Sequence, residues 1–127
     1  MGHWILFFIK DFHLYYFDSF GFTPEDYGWD ITDFFGSYPT CKTIVFVDPI
    51  QNEFSYVCGA YTILFSYLMC KNYSLGYIKS LFTRYRRKND SYAVSYLYSL
   101  VGINLTCNPK YCPNHMYFGK CRAYCTC

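Results

Sequence analysis

Residues 57–70, VCGAYTILFSYLMC, restrict the fold more than any other part of the chain. The run is too long for one strand and falls short of the ~20 apolar residues that cross a bilayer. Gly59 and Ser66 also interrupt it. What remains is a buried helix, and a helix apolar on nearly every side has to be wrapped by its own domain. The means are present: of 127 residues 24% are aromatic, including 16 Tyr and 13 Phe. A chain of this length supports one domain with one core, and this composition argues against disorder. The net charge of +2 gives no argument for nucleic acid by itself.

Upstream of that helix, residues 4–9 form a continuous apolar run and residues 14–18 a second, aromatic one. Lys10-Asp11-Phe12-His13 is a tight connection between them, so an antiparallel hairpin is expected. After a loop, SFGFT, Thr23 caps a helix with Pro24 in its first position and Glu25-Asp26 in its first turn. That helix is expected to run to about residue 35, where GSYP stops it. Residues 43–47, TIVFV, read as a third strand ended by Asp48-Pro49. Past the central helix, Ser74 caps a helix to about residue 86, with Leu75, Ile78, Leu81 and Phe82 on one stripe. Asn89 or Asp90 caps a last helix through Leu100, with Gly102 as its stop. Few strands followed by several helices is an α+β pattern, a small antiparallel sheet packed on the central helix.

The cysteine at the mouth of the central helix raises a chemical question. Cys58 there feels the positive end of the helix dipole, which lowers a thiol pKa, and a neighbouring imidazolium lowers it further. His3 begins the first strand and Asp18 ends the second, so a hairpin makes them cross-strand neighbours, the geometry an imidazole and its orienting carboxylate need. Gln51, seven positions before Cys58, can donate a side-chain N–H to the oxygen of a tetrahedral intermediate. The backbone N–H of Cys58 can add a second donor, each such donor being worth about 3–4 kcal/mol of barrier. Gly59 leaves room for a substrate backbone. Residue types alone leave a second reading open, in which Cys58 is an ordinary small hydrophobe and His3 a terminal residue.

The pieces HW (His3-Trp4), YFDSFGFT (residues 16–23) and Q-x6-CG (residues 51–59), in this order, resemble the adenovirus-type cysteine endopeptidases, most closely those of Maverick/Polinton DNA transposons and related viruses. The resemblance continues through FSYLMCKNYSLGYIKSLF and Asn89-Asp90, covering roughly residues 2–104. It implies a papain-like, adenain-like α+β protease core in which His3 is the general base, Asp18 its orienting acid, Cys58 the nucleophile and Gln51 the oxyanion donor. Trp4 resembles the aromatic that packs beside the imidazole. Family members cleave precursor proteins during virion maturation, and some are stimulated by DNA and a short peptide. The implied partners are therefore a protein substrate, an activating peptide and DNA, with no required cofactor and no metal, acting as a monomer in the nucleus or a virion. Proteases of ubiquitin-like modifiers share the HW, Asp, Gln and Cys-Gly elements. They place the Gln one residue nearer the Cys and an Asp before it, where this chain has Val57. Relatives carry a longer lead-in to the His, so the resemblance implies an N-terminally shortened core at residues 1–104.

Two alternatives stay open beside this: a deconjugating protease of the ubiquitin-like type, and a catalytically silent module that keeps the fold for binding. Arg84, Arg86, Arg87 and Lys88, with Tyr85 among them, could meet DNA phosphates. The blander reading, which carries more weight, is a solvated helix end whose cations complement the dipole. Cys41 lies near where an adenoviral relative carries the cysteine that pairs with its activating peptide; it reads equally as a strand-edge cysteine. Residues 105–127 form a separate Cys-rich tail, with Cys107, Cys112, His115, Cys121, Cys125 and Cys127 at a spacing that matches no zinc module. WILFFI has neither basic flank nor cleavage site for a signal peptide, and Leu6 stands where myristoylation needs Ser or Thr. The expected compartment is intracellular and reducing, with thiols rather than disulfides and with unmodified sequons at Asn72, Asn89 and Asn104.

Overall fold

A computed structural model describes residues 2–101. The expected stop at Gly102 and the tail at 105–127 lie outside the described residues. The chain is mixed α/β, with a three-stranded sheet and four α-helices among the described residues. Strands β1 (Leu6–Lys10) and β2 (His13–Phe17) form the expected hairpin, paired from Leu6↔Phe17 to Lys10↔His13. Asp11 and Phe12 turn it with φ of 49° and 60°. Two left-handed residues in succession suit the twist of a two-residue hairpin, although Asn-Gly is the sequence that usually supplies them.

Strand β3 (Lys42–Phe46) lies on the far side of β2 and runs parallel to it, so the sheet is mixed rather than antiparallel as expected. A parallel neighbour needs a crossover connection. Here it contains a 3-10 turn, Pro24–Tyr27, and helix α1, Trp29–Gly36. The sequence pattern reads these as one helix. Gly28, at φ 93°, breaks it in two. Upstream of the break the Asp26 carboxylate accepts the Thr23 backbone N–H (2.7 Å) and the Thr23 hydroxyl (3.0 Å) and closes the turn.

Helix α2 (Cys58–Cys70) is the buried helix that the apolar run requires, with Tyr61, Leu64, Phe65, Leu68 and Met69 all buried. Phe65 stacks on Phe17 of β2 at 4.4 Å between centroids and meets Phe46 of β3 edge-on at 5.6 Å. Burying a side chain of this size contributes roughly 1.5–3 kcal/mol, and these three rings fasten α2 to the sheet. No helix among the described residues is long and apolar enough to cross a membrane.

Ser74 caps α3 (Leu75–Ser80), its hydroxyl accepting the Tyr77 N–H at 3.1 Å. The helix ends about six residues earlier than its apolar stripe suggests, and α4 (Arg86–Leu100) begins before the expected cap. Both shifts have one cause. Asn89 and Asp90 have the chemistry of caps, yet they lie inside α4 and are buried. The Asn89 amide oxygen accepts the Thr83 N–H (2.8 Å) and its amide nitrogen donates to the Thr83 carbonyl (2.8 Å), which holds the α3–α4 connection out of helical form. Asp90 accepts the Tyr61 hydroxyl at 2.8 Å on Oδ1, while its Oδ2 is buried without a partner among the described residues. Burial therefore pushes the Asp90 carboxyl up, against hydrogen bonds that pull it back.

The hairpin turn and the buried carboxyl each give a measurable expectation. Phe12 is 78% exposed in a left-handed conformation, so Phe12→Gly should raise stability by about 1 kcal/mol in urea titrations. For Asp90, a folded pKa above the unfolded value means its stabilising contribution is full below about pH 3.9 and is lost as pH rises through the folded pKa. Thermal melts should show Asp90→Asn gaining on the native protein as pH rises from about 4 toward 7.

Candidate active site

The end of the hairpin away from its turn carries the residues of interest. Extended by one step, the register Leu6↔Phe17 sets Ile5 against Asp18, and the chain before it brings His3 within reach of that carboxyl. The two side chains meet, with His3 Nε2 3.0 Å from Asp18 Oδ1. Asp18 is fully buried and has two further donors. The Phe20 backbone N–H reaches Oδ1 at 2.7 Å, and the Tyr27 hydroxyl donates to Oδ2 at 2.5 Å. The first is an Asx turn, and the Gly21 N–H closes the same loop onto the Asp18 carbonyl at 3.2 Å. Gly21 has φ 85°, and a Cβ there would stand 2.7 Å from the Val47 carbonyl oxygen, so only glycine fits. Burial, the hydrogen bond to Asp18 and the charge of that carboxylate hold the Tyr27 phenol far above its usual pKa, and it stays a donor.

With Nε2 directed at the carboxylate, Nδ1 is the ring nitrogen left without that contact. Nδ1 is buried and has no partner among the described residues. The Phe20 ring lies 4.7 Å from the imidazole and the Tyr27 ring 6.3 Å, so two aromatic rings pack near it. His3 lines a cavity of about 410 Å³ together with Gly2, Trp4, Phe20, Glu53, Ser55, Tyr56 and Cys58. Cys58 is a free thiol at the first residue of α2, 6% exposed. Thus the fold brings His3, Asp18, Cys58 and Trp4 to one place. Trp4, 67% exposed, lies over Gly59, where a Cβ would touch the indole at an ordinary 3.6 Å.

Gln51 stands behind the cavity wall. Its amide nitrogen donates to the Ser55 carbonyl (3.0 Å) and hydroxyl (3.1 Å), and its amide oxygen accepts the Ser19 hydroxyl at 2.6 Å. In this arrangement it braces the 51–56 loop and does not reach into the cavity. Arg84, Arg86, Arg87 and Lys88 lie away from the cavity lining, exposed at the start of α4. Their expected place at the closing end of a helix is corrected here: they sit where the dipole disfavours cations. Arg84 and Lys88 lie over the Tyr85 ring at 4.9 and 5.1 Å. Cys41 is a half-buried free thiol just before β3. Among the described residues no three His, Cys, Asp or Glu side chains converge as a metal site would require.

Tyr27, Phe20, Glu53, Ser55 and Tyr56 were not singled out by sequence reasoning. Phe20 had a signal, because Asp followed by Ser-Phe-Gly marks an Asx turn. Tyr27 had none, since the sequence pattern reads it as one residue within a continuous helix.

No family model matches the chain, and no curated protein or solved structure matches it.

Replacing Tyr27 by Phe removes one donor from a buried carboxyl. The expected loss is about 1–2 kcal/mol in urea unfolding, together with a lower reactivity of Cys58 toward alkylation as the His3–Asp18 pair loosens.

Proposed function

We propose that this chain is the core of a cysteine endopeptidase of the adenovirus type, with a papain-like arrangement of its reacting groups. One observation carries the reading: His3 and Cys58 line the same cavity, His3 Nε2 is anchored on Asp18, and Nδ1 is buried without a partner among the described residues. A base fixed by a buried carboxyl and sharing a cavity with a thiol at a helix N-terminus is what nucleophilic acyl transfer needs.

In this reading Nδ1 takes the Cys58 proton and the sulfur attacks the scissile carbonyl carbon. A C–S bond forms, and negative charge develops on the carbonyl oxygen. The Cys58 backbone N–H at the start of α2 is the donor for that oxygen, joined by Gln51 when its amide leaves Ser55 for the substrate. Collapse breaks the C–N bond, His3 returns the proton to the leaving amine, and water then hydrolyses the thioester with His3 as base. Trp4 and Tyr56, 67% and 62% exposed, give the cavity mouth aromatic surface for an extended peptide. DNA at residues 84–88, an activating peptide and action in a nucleus or virion belong to the same proposal and rest on the resemblance alone.

A silent binding module is the competing reading, and the Gln51 amide engaged with Ser55 is the observation that favours it. Alkylation separates the two. The rate of Cys58 modification by iodoacetamide, followed from about pH 5 to pH 9, should show a thiol reactive well below the usual cysteine range near pH ~8.5. His3→Ala should slow it at neutral pH. A native profile that follows a free thiol and ignores His3 would overturn the enzymatic reading.

A further inference from the structure

The loop that forms one wall of the cavity is gripped from two sides. Toward the hairpin, the Ser19 carbonyl accepts the backbone N–H of Ile50 (3.0 Å) and of Gln51 (2.9 Å), and the Ser19 hydroxyl holds the Gln51 amide oxygen. Toward α4, the Asn89 amide donates to the Ile50 carbonyl at 3.0 Å, and Asp90 Oδ1 accepts the Asn52 N–H at 3.3 Å. The same Oδ1 takes the Tyr61 hydroxyl from α2, the helix that begins with Cys58. Asp90 thus joins the nucleophile's helix to the 51–56 loop.

Ser55 completes the connection. Its hydroxyl accepts from the Gln51 amide and donates to the Asn52 carbonyl at 3.0 Å. It also lies near enough to Asp90 to help its charged form, but one hydroxyl proton cannot serve both, and the geometry gives it to Asn52. Asp90 is therefore left with a buried Oδ2 that has no partner among the described residues, beside the loop that carries Gln51. An uncompensated buried carboxyl oxygen is costly, and a helix surface could have been closed here with an apolar side chain.

We propose that Asp90 is a positioning residue for the oxyanion side of the candidate site. It holds Asn52, and through Asn52 it sets where the 51–56 loop stands relative to Cys58, and with it the Gln51 amide once that amide leaves Ser55. The inference rests on the endopeptidase reading for its consequence in catalysis, but the clamp itself is independent of that reading. Asp90 touches neither substrate nor thiol. Its effect is confined to acyl transfer, which needs an oxyanion donor, and spares alkylation, which needs only the thiol and its base.

Three measurements on the full chain test this, with Asp90→Ala and Asp90→Asn compared with the native protein. The first is hydrogen exchange at the Ile50, Gln51 and Asn52 amides. The others are the rate of Cys58 alkylation by iodoacetamide and the burst of p-nitrophenol from p-nitrophenyl acetate, whose acyl group passes to sulfur as the phenolate leaves. Asp90→Ala should speed exchange in the loop by at least about tenfold while α2 amides stay protected. It should cut the burst rate by roughly a hundredfold, the scale of a lost oxyanion donor, with alkylation little changed. Asp90→Asn, which keeps an acceptor for Asn52 and Tyr61, should recover most of both losses. Asp90→Ser, polar but too short to reach Asn52, replaces the Ala variant if that one does not fold. Unchanged loop exchange, or burst and alkylation falling together, would overturn the proposal. A native protein with neither burst nor His3-dependent alkylation sinks the endopeptidase reading instead, and the exchange data still decide the clamp.

Discussion

A fully buried carboxyl at Asp18 is the constraint on which much of this structure turns. Such a group is tolerated inside a small domain only when donors surround it. Three pieces of chain supply them: the segment before β1 through His3, the turn after β2 through the Phe20 N–H, and the 3-10 turn through Tyr27. Each is thereby fixed at the same end of the sheet. The 3-10 turn that closes at Gly28 is what carries Tyr27 to this carboxyl.

The second constraint is the seat of α2. Its first residue can be held near His3 only if the whole helix has one position against the sheet. The Phe17–Phe46–Phe65 cluster gives it that position through direct ring contacts. Rings in mutual contact fix orientation better than unbranched aliphatic side chains, since they carry fewer rotatable bonds and prefer particular tilts. The hydrogen bonds from Ile50 and Gln51 to Ser19 then tie the stretch before α2 to the residue following Asp18. Asp18, His3 and Cys58 are therefore set by one packed unit, although they are far apart along the chain.

Much of this was legible in the sequence where local pattern and global fold agree. The hairpin, β3, the buried α2 and the Ser74 cap each follow from a periodicity or a turn residue whose role is the same in isolation and in the fold. The nearness of His3 and Asp18 was legible because a hairpin makes it so. Failures occur where tertiary demand overrides a residue's local preference. Asn89 and Asp90 have the side chains of helix caps, but both are used to hold neighbouring loops. The parallel direction of β3 depends on where a crossover returns, which no short window contains. Gln51 stands out in the sequence for what its amide can donate, while its observed partner, Ser55, becomes visible only when the loop is folded.

The opening of α4 has a consequence for how the molecule meets its solvent. Arg86, Arg87 and Lys88 occupy the first turn of the helix with no acidic residue among them, so their charges repel one another and the positive end of the dipole. Dissolved anions relieve both repulsions, over a Debye length of about 10 Å at 0.1 M salt. Most exposed ion pairs weaken as ionic strength rises. This helix end is eased by it, and the two residues that immediately follow, Asn89 and Asp90, are those that hold the loop beside the cavity. The ionic atmosphere around an exposed basic turn is in this way connected, through one turn of helix, to a buried carboxyl.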